Sequence, residues 1–265
     1  MMQKFMRSIY DDIHLDKRAK RQLNLRKSRL TLSDNLHSII SLVNQNNQSD
    51  YYFDYSSSLD NLTRIELVFP IRYLTTFSSI HLKSKEFNLV FRQPFQMEDN
   101  FVKIDLTKYI RRFPLAFSVR FHRISLQSSG FMTLFFRQSD TFHSRTRRQL
   151  SSLFDDHPLI THPHDLSSCQ VRSFRTNFSE LNWTSWIIEP SSYEMNFCSG
   201  TCHSNSGMPS YFTMQDILHR RTPQIVPTLC CKPKRFAPTI LLYYDGLNLV
   251  LKRQDNMRVV ECGCS

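Results

Sequence analysis

The placement of cysteine constrains this chain more than any other feature. All seven cysteines lie late, at Cys169, Cys198, Cys202, Cys230, Cys231, Cys262 and Cys264, and residues 1–168 hold none. A chain of 265 residues has the length for one large domain or two ordinary ones, and so uneven a distribution argues for two. The cysteine-dense part is too short to bury much apolar area, so it needs covalent staples. Such staples persist in oxidising compartments, which predicts a secreted, extracellular protein. The count is odd. With six cysteines paired inside the chain, one is left for a bridge between chains.

The formal net charge of +11 would ordinarily suggest nucleic acid or an anionic surface. Splitting the chain after Arg148 changes that reading. Residues 1–148 hold 24 Lys and Arg against 13 Asp and Glu, whereas residues 149–265 hold 10 of each. A neutral compact part argues against nucleic acid, while the basic part could meet sulfated matrix polysaccharide. No run approaches the roughly 20 apolar residues of a membrane span. The opening MMQKFMRSIYDD has no apolar h-region and turns acidic at once, so a leader is expected upstream of Met1. Neither a nucleophile elbow, a phosphate-cradling loop nor a metalloprotease helix is present, so the chain does not read as an enzyme or as needing a cofactor.

Along the chain, residues 1–48 read as two helices. Phe5, Ile9 and Ile13 and then Leu36, Ile39, Ile40 and Val43 recur at helical spacing, with Asp34 placed to cap the second. From residue 62 to 138 the period falls to two: Phe117, Val119 and Phe121 alternate cleanly with polar residues, and Ile65, Leu67 and Phe69 less so. The runs at 87–91, 102–106 and 131–136 complete a β-rich, sandwich-like arm. His143-Ser-Arg145-Thr-Arg147-Arg148 follows in a polar stretch. Arg-X-Arg-Arg is what subtilisin-like proprotein convertases read, so cleavage is expected after Arg148. Arg18-Ala-Lys-Arg21 fits the same pattern inside the helical region. Residues 149–168, with His157, His162 and His164 beside prolines, read as a flexible arm.

Cys198-Ser-Gly200-Thr-Cys202 and Cys262-Gly-Cys264 have a mechanical property in common. If Cys198 joined Cys262 and Cys202 joined Cys264, the two segments would close a ring of eight residues. A third bridge can pass through such a ring only where no side chain fills it, and Gly200 has none. Cys230 and Cys231 are neighbours, so on a strand they point to opposite faces and cannot both enter one knot. Cys231 is the inward member and Cys230 the outward one. Sequence alone leaves many connectivities open. Zinc fits poorly, because Cys-Cys and Cys-X-Cys are not its usual knuckle spacings.

Asn182-Trp-Thr-Ser-Trp-Ile-Ile-Glu-Pro190, Tyr193, the Cys198–Cys202 segment, Pro227-Thr-Leu-Cys-Cys231, Leu242-Tyr-Tyr-Asp245 and the closing Asn256-Met-Arg-Val-Val-Glu-Cys-Gly-Cys-Ser265 together resemble the signalling domain of the transforming growth factor β superfamily. Seven cysteines with none in the first part, and Arg221-Thr-Pro-Gln-Ile-Val-Pro, are similar to its bone morphogenetic protein and nodal branch. Residues 5–10 resemble the leading helix of the family's propeptide, and 131–136 its last strand. The resemblance implies a propeptide at 1–148 and a cystine-knot growth factor domain at 169–265, with two β-fingers and a wrist helix from about Ser210 to Arg221. It implies the bridges Cys169–Cys231, Cys198–Cys262 and Cys202–Cys264, with Cys230 joining a disulfide-linked homodimer. A relative is a conceivable partner in a heterodimer.

The same resemblance assigns Trp183, Trp186, Phe212 and Leu218 to type I receptor kinases. It assigns Ala237, Ile240, Leu242 and Leu251 to type II receptors. It also implies Smad signalling, processing by a convertase, and a propeptide held non-covalently. Glu189 stands where the family usually has a small residue, Ser192 where it has Gly, and Phe212–Gln215 where a His-Ala pair is common. Asn47, Asn61, Asn177 and Asn182 open N-glycosylation sequons, and a glycan at Asn182 would shield Trp183. The alternative is a secreted antagonist with a similar knot, which would bind growth factors instead of receptors.

Overall fold

Among the described residues, strands and two helices follow one another as α1 (Met2–His14), β1 (Leu36–Val43), β2 (Asp50–Phe53), β3 (Leu62–Lys83), β4 (Asn88–Arg92), β5 (Gln96–Glu98), β6 (Phe101–Asp105), β7 (Leu115–Leu126), β8 (Phe131–Arg137), β9 (Gln170–Arg172), β10 (Arg175–Asn177), β11 (Ile187–Glu189), β12 (Ser192–Glu194), β13 (Phe197–Ser199), α2 (Tyr211–Arg221), β14 (Cys231–Asp245) and β15 (Asn248–Cys264). The computed structural model describes residues 1–14, 36–47, 49–137, 168–202 and 210–265. Two units emerge. The first comprises Met1–Phe142 with Trp186–Glu189 and Leu241–Lys252, and the second is built from His143–Ser185, Pro190–Ile240 and Arg253–Ser265.

In the first unit, strand β3 runs for 22 residues and serves two layers. Its first half pairs with β8 and β6, and its second half with β7 and β4. Between the layers lies a core of Leu42, Leu67, Phe69, Val102, Met132 and Leu134 from one side and Tyr51, Phe53, Ile80, Leu82 and Phe117 from the other. Alternation in β3 is imperfect because Leu67, Val68 and Phe69 are all buried, so both faces of the strand are covered there. Helix α1 covers the face away from that core. Its Phe5, Met6, Ile9 and Tyr10 are buried, and Phe5 meets Phe101 and Phe131 edge-on at 5.1 and 5.4 Å.

The second leading helix expected around Leu36, Ile39, Ile40 and Val43 is not a helix. These residues form strand β1, which pairs with β8 on one side (Ile39↔Phe135, Ser41↔Thr133) and with β15 on the other (Ile39↔Leu251, Ser41↔Leu249). Ser38, Ile39, Ser41 and Leu42 are buried, so apolar residues on both faces imitated a helical spacing. The β-branched Ile39, Ile40 and Val43 favour the extended chain. Asp34, proposed as the cap of that helix, lies outside the described residues, as do Arg18–Arg21, the site at Arg145, Arg147 and Arg148, and nearly all of the 149–168 arm.

Phe69 is fully buried and meets Tyr51 and Phe121 edge-on at 5.9 and 5.0 Å. Phe69→Ala should therefore cost about 3–5 kcal/mol. The measurement is the urea midpoint at which the first unit becomes protease-sensitive, which should fall.

Candidate functional site

Six cysteines in the second unit close three bridges: Cys169–Cys231, Cys198–Cys262 and Cys202–Cys264, with Cα separations of 5.4, 5.7 and 5.6 Å. Their sulfurs gather in two triplets, Cys169 with Cys202 and Cys264, and Cys231 with Cys198 and Cys262, each within 4.8 Å. One sulfur of the Cys169–Cys231 bridge thus sits in each triplet, as threading requires. These sulfurs are spent on one another and are not thiolates available to a metal. Gly200 shows why the ring tolerates no side chain. Its φ is +128°, and a Cβ there would stand 2.0 Å from the Ser168 carbonyl oxygen and 2.8 Å from the Cys169 nitrogen. Backbone fills that space. Gly263, in the other half of the ring, would meet only the flexible side chain of Lys234.

Cys230 is an exposed free cysteine. Its N–H donates to the Ser265 carbonyl and its own carbonyl accepts from the Ser265 N–H, both at 3.0 Å, which fixes its backbone while the thiol faces out. Helix α2 belongs to the same unit. Ser210 caps it, accepting from the Thr213 N–H at 3.2 Å, and His219, Arg220 and Arg221 occupy its last turn, where cations suit the dipole. Gln215 donates to the Pro227 carbonyl and His219 bonds that of Val226, tying the following loop to the helix. Yet α2 buries none of its residues. Tyr211, Phe212, Met214, Ile217 and Leu218 are all exposed, Tyr211 by 74%.

Trp183 is 41% exposed and stacks on the buried Phe178, which stacks in turn on Tyr193 at 5.2 Å. In the first unit Trp186, 37% exposed, meets Tyr243 edge-on at 5.9 Å, and its carbonyl accepts from the Tyr244 N–H. Phe212 and Leu218 are exposed. Of the second-finger candidates, Ile240 is half-buried, but Ala237, Leu242 and Leu251 are not on the surface of this chain. In the first unit the reason is pairing: Leu251 lies opposite Ile39 of β1, and Leu242 opposite Glu189 of β11. An exposed convex face at Ala237, Leu242 and Leu251 is thus corrected. Gly246, at φ +60°, and Leu247 make the turn between Asp245, the last residue of β14, and β15.

The four sequon asparagines Asn47, Asn61, Asn177 and Asn182 are exposed. Asn177 donates its amide to Glu180 at 2.7 Å, while Asn182 sits at φ 56° in the exposed turn before Trp183. Sequence reasoning missed two residues. Asn196, buried at φ 55°, accepts from the Phe174 N–H and donates to the Val259 carbonyl, and only asparagine's tolerance of positive φ hinted at it. Glu189 was noted as a departure, but not its partner: Arg7 of α1 reaches its carboxylate at 3.1 Å. Burial, then Glu189, then Asp11 push the neighbouring Tyr10 phenol up to about 12.

Residues 168–264 match a family model described as "Transforming growth factor beta like domain". Similar curated proteins include bone morphogenetic protein 8A of Homo sapiens, 31% identical over 121 residues, 44% of this chain and 29% of that protein. A DVR-1 homolog of Strongylocentrotus purpuratus is 36% identical over 101 residues, covering 36% of this chain and 22% of the relative. Growth/differentiation factor 6-A of Danio rerio is 35% identical over 103 residues, 37% of this chain and 26% of that one. The matched stretch therefore spans less than a third of each relative.

The two ring glycines give opposite expectations. Gly200→Ala should abolish the yield of correctly bridged protein, because backbone cannot give way, whereas Gly263→Ala should form the three bridges at near wild-type yield once Lys234 swings aside. Non-reducing electrophoresis of the purified protein reads both.

Proposed function

We propose, from the premise that residues 168–264 are a domain of the transforming growth factor β family resembling the bone morphogenetic proteins, that this chain is the precursor of a secreted growth factor. Cut after Arg148, it yields a mature chain that pairs with a second copy through Cys230. The observation that carries the reading is the apolar face of α2, exposed in the single chain and in the same unit as the outward thiol of Cys230. Large apolar side chains each gain about 1.5–3 kcal/mol on full burial, and a second copy held by a disulfide is a natural cover.

In this reading the dimer engages type I receptor kinases through Trp183, Trp186, Phe212 and Leu218, and signals through Smads. Exposed tryptophans are frequent interface anchors. Ala237, Ile240, Leu242 and Leu251 form the type II surface, and the pairing of the buried Leu251 with Ile39 of β1, in the segment that would be removed, supports a propeptide that masks that part of it until it leaves. A glycan on Asn182, beside Trp183, would tune the type I contact.

The test uses purified, cleaved protein on a panel of receptor ectodomains and on responsive cells. Wild type should bind receptors and drive Smad phosphorylation. Cys230→Ser should run as a single chain without reductant and lose at least about tenfold in potency, through lost bivalency. Trp186→Ala should weaken type I binding by roughly thirtyfold, leaving type II binding unchanged. Material that only blocks an added ligand would instead be an antagonist.

A further inference from the structure

We propose that Arg7 and Glu189 form a charge-coded recognition pair, by which the growth factor finger selects the propeptide helix that will mask it. The inference rests on the precursor reading above. Glu189 belongs to β11 and so to the segment that would remain in the mature chain, while Arg7 belongs to α1, in the segment that would be removed. Both lie in the first unit, and their groups are 3.1 Å apart.

Helix α1 presents a short apolar face, Phe5, Met6, Ile9 and Tyr10, with Arg7 on its border. An apolar face of this kind gives adhesion but little discrimination, since many amphipathic helices carry one. Discrimination needs a group that is penalised when its partner is wrong. Glu189 supplies that group. Its side chain is 28% exposed, and it stands close enough to raise the Tyr10 phenol's resistance to ionisation. A helix with a neutral or acidic residue in place of Arg7 would leave this carboxylate half-desolvated beside a phenol that must itself stay neutral. The chemistry that fits is an amphipathic helix with apolar residues at i, i+1, i+4 and i+5 and a cation at i+2. The chain's own residues 5–10 have that arrangement.

The size of the effect is bounded by exposure. Arg7 is 47% exposed. Exposed pairs are weak and screened by salt, so removal of the pair should speed release of the propeptide by about two- to fivefold, and reversal of one charge by up to about tenfold.

The experiment uses the full chain with residues 145–148 replaced by the recognition sequence of a laboratory protease, so that retention is measured whether or not a convertase cuts the native site. Secreted, disulfide-linked material is cut, captured through the C-terminal domain, and followed for loss of the propeptide. Arg7→Glu and Glu189→Arg should each accelerate loss, and the double variant should return to within about twofold of wild type. Raised salt should accelerate wild type and leave Arg7→Gln unchanged. If a reversal variant is not secreted, Arg7→Gln and Glu189→Gln carry the comparison. A double variant no slower than the single ones, neutral variants that release like wild type, or a wild-type propeptide that leaves at once on cutting would each overturn the proposal. Receptor binding by the released domain is scored separately. Its failure would count against the growth factor reading alone.

Discussion

A backbone passing through a closed ring leaves no volume for a side chain, and that steric requirement organises the C-terminal domain. With Ser168 and Cys169 lodged against Gly200, sulfur ties the start of β9 to the start of β14, and β13 and Cys202 to the end of β15. Each bridge spans 62 or 64 residues, and bridges of that span stabilise by about 2–4 kcal/mol in the chain-entropy account. A domain ordered in this way needs little interior. That is why α2 can keep its apolar residues outside and why an outward thiol can be left over.

The first unit is built on the opposite principle. Its order comes from buried aromatics and aliphatics between two sheet layers, and from α1 laid over the free face. Strand β1 is the compromised element. Ser41 is fully buried with its hydroxyl unbonded, and Ser38 is also buried. An unsatisfied buried hydroxyl costs about 1–3 kcal/mol, so β1 stabilises the sheet less than an all-apolar strand would.

Much of this was legible from local pattern. The cysteine spacings indicated both the ring and its glycine, Ser210 was placed near the start of α2, and the alternation of Phe117 and Val119 marked β7. What was not legible depended on distant partners. The strand at Leu36–Val43 looked helical because β8 and β15 bury both of its faces, and nothing within the segment announces either neighbour. Leu242 and Leu251 were read as a surface because nothing local says that β11 and β1 lie beside them. Glu189 stood out as unusual, yet its meaning required Arg7, far away in sequence. Covalent constraints leave short-range marks in a sequence, and packing across long separations does not.

The pairing of β1 with Leu249–Lys252 has a practical corollary. Without β1, β15 would be an unprotected edge carrying Leu249, Val250 and Leu251, a row of open amides and carbonyls with apolar side chains alongside. Natural sheets guard such edges, because they template association with other chains. Lys252 and Arg253 are the nearby charges that oppose it. The colloidal behaviour of the protein, and the conditions under which it can be stored or concentrated, therefore depend on β1 staying in register along that edge.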